Sequence, residues 1–120
     1  MPNSFSDLPW HDATLLDIRI DRRVPGINDT VVLRVQWPDN TANTITFSNC
    51  YACETKLNFG INAQESILNA AVADDSPELI DIREKWAQIE VDLSDLQCFE
   101  IQTNSTNSQI RIYALGFSLE

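Results

Sequence analysis

A single histidine, His11, stands next to Asp12. A carboxylate beside an imidazole can fix its tautomer and prepare it as a general base. On an extended chain, however, adjacent side chains point to opposite sides. No Gly-x-Ser-x-Gly elbow offers a nucleophile either. Asp12 is better suited to an Asx turn that leads into a strand. The cysteines are the second candidate. Cys50-Tyr51-Ala52-Cys53 is a CxxC, and with Cys98 and His11 it could supply a Cys3His set for zinc. In a strand, residues i and i+3 face opposite ways about 10 Å apart, beyond the roughly 7 Å limit of a disulfide. A redox CxxC also belongs at a helix N-terminus, and no helical period follows Cys53. His11, Asp12, Cys50, Cys53 and Cys98 therefore carry the alternative reading, a small enzyme or metal-binding protein.

The charge points elsewhere. The chain carries 18 acidic and 8 basic residues, a net charge of −10. The basic residues are scattered, and only Arg22 and Arg23 are adjacent. Gripping a nucleic acid or an anionic membrane requires clustered cations, so both are excluded as expected partners. With only Gly26, Gly60 and Gly116, no glycine-rich phosphate cradle can be built. The acids are concentrated in residues 74–95: Asp74, Asp75, Glu78, Asp81, Glu84, Glu90, Asp92 and Asp95 stand against Arg83 and Lys85 alone. Exposed carboxylates keep ordinary pKa values and make poor general acids. Such a surface keeps a domain soluble, and it also steers a basic partner. Trp10 follows Pro9 near the N-terminus. It either plugs the edge of the core, as its size favours, or stays exposed as a binding anchor, the first to test.

The elements that must position these groups follow from periodicity. Leu16, Ile18 and Ile20 alternate with Asp17, Arg19 and Asp21, the pattern of a half-buried strand. Pro25-Gly26 and Asn28-Asp29 end it. Val31, Leu33, Val35 and Trp37 form a second strand, closed by a Pro38-Asp39-Asn40 turn. Ile45 and Phe47 mark a third, and residues 51–59 a fourth with Leu57 and Phe59 on one face. After Gly60 the period changes. Asn62 and Glu65 match a capping box, and Ala63, Ile67, Ala70 and Ala71 fall on one helical face. Ser76 as N-cap and Pro77 at N1 open a second helix, whose Leu79, Ile82, Trp86 and Ile89 form one stripe. Strands return with Phe99, Ile101 and Thr103, then with Ile110 and Ile112 after a polar loop at 104–108. The apolar phase then slips to Leu115, Phe117 and Leu119, which predicts a bulge or bend near Gly116.

This order predicts an α+β fold: a twisted, mainly antiparallel sheet of about six strands with two helices packed on one face. The other face, with Asp17, Arg19, Asp21, Arg34, Gln36, Thr44, Thr46, Glu100, Gln102, Arg111 and Tyr113, is expected to meet water. A chain of 120 residues fits one domain, residues 1–120. No apolar run approaches the roughly 20 residues of a membrane span. The odd cysteine count and the lack of a leader-like start predict a cytoplasmic protein.

The opening Trp10-His11-Asp12-Ala13-x-Leu15-x-x-Ile18-x-Ile20, with the strands at 31–37 and 45–47, resembles a group of small uncharacterised bacterial proteins. Some of these are similar to immunity proteins of polymorphic toxin systems. The resemblance covers about the first 50 residues. It implies a stoichiometric inhibitor that binds a toxin and does no chemistry. The leading expectation is thus a non-enzymatic, acidic protein-binding domain of immunity type, without metal, cofactor or catalytic residue. A further alternative is a structural domain that forms oligomers through a sheet edge or its outer face.

Overall fold

The computed structural model describes residues 4–26, 29–74 and 76–120; Asn28 of the expected turn and Asp75 of the acidic segment lie outside them. The strands are β1 (Thr14–Asp21), β2 (Thr30–Gln36), β3 (Ala42–Lys56), β4 (Ile67–Ala73), β5 (Gln97–Thr103) and β6 (Gln109–Leu119). They form one sheet in the order β1-β2-β3-β6-β5-β4, antiparallel throughout. The sheet curls until its two outer strands meet. Thr14 bridges Ser66, and backbone N–H groups of Leu15 and Ile67 donate to the carbonyls of Glu65 and Ala13 at 2.8 and 2.7 Å. The result is a partly closed barrel, which removes most of the exposed edge an open sheet would carry.

Its interior holds Val31, Leu33, Val35, Ile45, Phe47, Ile67, Phe99, Ile101, Ile110 and Ile112, all nearly inaccessible to water. A 3-10 turn at Phe5–Asp7 brings Phe5 into the same core. The Ser6 hydroxyl there accepts the Val72 N–H at 3.1 Å, so the N-terminal segment also covers the β4 edge.

Among the described residues there is one α-helix, α1 (Pro77–Ala87), and not the expected two. The expected helix near 62–71 is replaced by a loop and by β4. Leu68 is a bulge against β5, and the extra residue turns both Ile67 and Ala70 inward. A bulged strand therefore shows the same i, i+3 apolar spacing as a helix. Glu65, which looked like the far half of a capping box, instead accepts the Thr106 N–H at 3.2 Å and the Thr106 hydroxyl.

The helix at 77–87 forms as its signals require. The Ser76 Oγ accepts the Leu79 N–H at 3.4 Å, and Pro77 occupies the first turn. It ends earlier than the expected stripe: Glu90 adopts φ 67°, Val91 N–H returns to the Trp86 carbonyl, and Ile89 is exposed. Leu79, Ile82 and Trp86 pack on the outer face of the sheet with Leu93, Leu96, Cys98 and Tyr113. Tyr113, on the face the alternation assigns to water, is fully buried because α1 covers that part of the face. The fourth expected strand is the second half of β3, and it stops at Lys56, leaving Phe59 in a loop and 84% exposed. Phe117 and Leu119 do pack on the interior core after the phase slip. The register break, however, lies on β3, where Tyr51 is the extra residue between Cys50 and Ala52. No helix among the described residues is long and apolar enough to cross a membrane.

Candidate functional site

The acidic flank is built from the turn after β4, α1 and the segment that leads into β5. Asp74, Asp81, Glu84, Glu90, Asp92 and Asp95 are all exposed. Glu78 is half-buried, and its carboxylate accepts the Ser76 hydroxyl at 3.0 Å. Its own backbone N–H, and then that hydroxyl, hold it below the ordinary carboxylate range. Asp92 accepts the Ser94 N–H at 2.9 Å, which lowers its pKa likewise. The two cations of the segment do little to neutralise it from outside. Lys85 pairs with Asp81 at 3.2 Å, one turn away. Arg83 turns inward and donates to the Leu96 carbonyl at 2.6 Å. What remains is a set of solvent-facing carboxylates, Asp81 and Glu84 on the well-anchored helix and Asp74, Glu90, Asp92 and Asp95 in the segments on either side of it.

Sequence reasoning missed the support beneath it. The Ser76 Oγ lies 3.4 Å from the Tyr113 hydroxyl, which donates to Glu54 Oε1 on β3 at 2.7 Å. Burial pushes the Tyr113 phenol above its ordinary pKa. The helix start is thus tied to the sheet by a polar contact as well as by Leu79. The only sequence signal was a Tyr at an alternating position of β6, which reads equally well as surface.

Trp10 is not on this flank. It is 3% exposed, its ring 4.8 Å from Phe5 and 5.1 Å from Trp37, and its Nε1 donates to the Phe5 carbonyl at 2.7 Å. It is a core plug, and its burial removes it as an exposed anchor.

His11 and Asp12 are exposed, with Nε2 and Oδ2 3.6 Å apart. Asp12 has φ 67°, so the chain is not extended here, and its carboxylate turns toward the ring rather than away from it. The His11 Nδ1 is 3.1 Å from the Leu68 carbonyl, to which it can donate.

The cysteines are divided between two layers. Tyr51 bulges, so Cys50 and Cys53 both face the barrel interior, contrary to the opposite faces expected of a regular strand. Cys98 lies on the other side of the sheet, under α1. Burial pushes the Cys50 thiol up to about 11 and raises Cys53 and Cys98 as well. A thiol held neutral is a poor nucleophile and a poor ligand. At pH 8, Cys50 is expected to be alkylated by iodoacetamide about 100-fold more slowly than a thiol of the unfolded chain. Mass spectrometry of the quenched reaction reads this rate. Equal rates would show a thiolate at this position. Among the described residues no group of three His, Cys, Asp or Glu side chains is placed to hold a metal ion.

Concavities lie beside β1, and two of them have apolar walls. A hollow of about 260 Å³ at the barrel mouth joins Ile20, Val31, Cys50 and Cys53 to a charged rim of Asp21, Arg22 and Asp29. The rim is internally neutralised. Arg23 holds the Asp21 carboxyl down to about 2, and Arg22 pairs with Asp29 at 3.0 Å. A second hollow of about 400 Å³ separates β1 from the loop after β3 and is lined by Leu16, Ile18, Leu57, Phe59 and Ile61.

Fold and surface together define a small antiparallel barrel with one flanking helix and an acidic side. Compared with known proteins, the chain matches no family model, no curated protein and no solved structure.

Proposed function

We propose that this chain is a non-enzymatic binding domain that receives a basic protein partner on its acidic flank, in the manner of an immunity-type inhibitor of a toxin. The observation that carries the reading is the uncompensated charge of residues 74–95. Among the described residues of this segment, Lys85 pairs with Asp81 at the surface and Arg83 is turned inward. A rigid surface of one sign accelerates encounter with a surface of the other and excludes like-charged competitors. The N-terminal resemblance supplies the partner class, a toxin. The raised pKa of the half-buried Cys50 thiol supports binding over chemistry.

The test is association kinetics with a basic toxin domain as the probe. Reversal of two exposed charges, Asp81→Lys with Glu84→Lys, is expected to lower the on-rate at low salt by about tenfold and to flatten its salt dependence. An on-rate that ignores both changes would remove this flank from the interface.

A further inference from the structure

Barrel closure leaves part of β1 unpaired. The hydrogen bonds across the seam end at Leu15, and from residue 16 to 21 the outer edge of β1 has no main-chain partner among the described residues. An edge of this kind readily takes up another strand. The side chains specify which strand. Around Ile18 the sequence reads Leu16-Asp17-Ile18-Arg19-Ile20, with opposite charges one residue to either side and large aliphatic residues two to either side. This pattern complements itself when reversed.

We infer that β1 is a homodimer interface, in which β1 of one copy pairs antiparallel with β1 of a second, Ile18 facing Ile18. Asp17 of each copy then lies across from Arg19 of the other, while Ile20 and Leu16, the bulged residue of β1, flank these pairs. Opposite charges directly across a strand pair stabilise it, and like charges oppose it. Faces match only in registers two residues apart. One step in either direction sets Arg19 against Arg19 and Asp17 against Asp21, or Asp17 against Asp17. The charges that usually protect an edge strand therefore select a single register here. Arg19 is 76% exposed and pairs with Asp17 of its own chain at 3.4 Å, so both groups are free to exchange partners. Leu16 and Ile20 are 47% and 54% exposed, and Phe59 and Ile61 stand exposed across the neighbouring hollow. An interface of one strand and its flanks falls in the weak class, below about 1,200 Å². A dissociation constant in the micromolar range is expected.

Sedimentation velocity of the full chain, over roughly 1 to 500 µM, measures this, with circular dichroism as the check on folding. Asp17→Arg and Arg19→Asp alone are each expected to weaken the dimer by about tenfold, since each turns two attractive pairs into two repulsive ones. The double variant Asp17→Arg with Arg19→Asp restores the complementarity and is expected to return dimerisation to within about threefold of the parent. Ile20→Lys, at a side chain already half in water, supplies an independent disruption if a charge variant loses its fold. A chain that stays monomeric throughout the range overturns the inference. So does a dimer indifferent to the single variants, or one the double variant fails to rescue.

Discussion

Phe5→Ala is expected to cost the fold about 3–5 kcal/mol, a large part of the 5–15 kcal/mol that holds a domain together. Phe5 is 1% exposed, although it precedes the first strand. Its ring lies 4.8 Å from Trp10, 5.0 Å from Phe99, 5.5 Å from Phe117 and 5.9 Å from Phe47. It packs on rings from the adjacent strands β3, β6 and β5, which also touch one another. Truncation leaves a cavity bounded by aromatic rings on rigid strands, which cannot collapse to fill it. Urea unfolding should show a large fall in the midpoint with little change in slope. Phe59→Ala, at 84% exposure, should change stability by less than about 0.5 kcal/mol and serves as the control. Equal effects from the two would mean that the N-terminal segment is not part of the core.

Leu79→Ala is expected to cost about 2–5 kcal/mol and to release α1 from the sheet. Leu79 is fully buried among Leu93, Leu96, Cys98 and Tyr113. The helix has 11 residues, too few to persist in water without that contact. Hydrogen exchange should therefore show amide protection in 77–87 falling further than protection in β2, β3 and β6. The carboxylates of the acidic flank would lose their fixed arrangement with it, so binding of a basic partner should weaken even though no charge has changed. Ile80→Ala, beside it and 49% exposed, should do neither. Uniform loss of protection over the whole chain would instead show that α1 and the barrel unfold as one unit.

The parts of this fold that were readable share a physical origin. β2, β5 and most of β6 carry an alternation that only a half-buried strand satisfies, and α1 carries its own start signal in Ser76 and Pro77. β1 forms as a strand, but the bulge at Leu16 breaks its expected apolar face, leaving Leu16 and Ile20 47% and 54% exposed. The misreadings share an origin too. Inward-facing residues are three apart at Leu15/Ile18, Cys50/Cys53 and Ile67/Ala70, and in each case a register break lies between them. Three-residue spacing is also the mark of a helix, so the segment at 62–71 read as helical and the CxxC as facing two ways. No local signal separates the two cases. A bulge is stabilised by the strand beside it, and for β4 that strand is β5, distant in sequence.

Sequence alone determined the charge, its concentration in residues 74–95, the candidate binding surface and the position of one helix, because these depend on side-chain type and on contacts within a few residues. Only the tertiary structure decided that Trp10 is a plug, that Tyr113 lies beneath α1, that two cysteines share a face and that the sheet closes on itself as far as Leu15. Each of those depends on which distant segment occupies the neighbouring space. Burial and pairing are properties of that neighbour as much as of the residue itself.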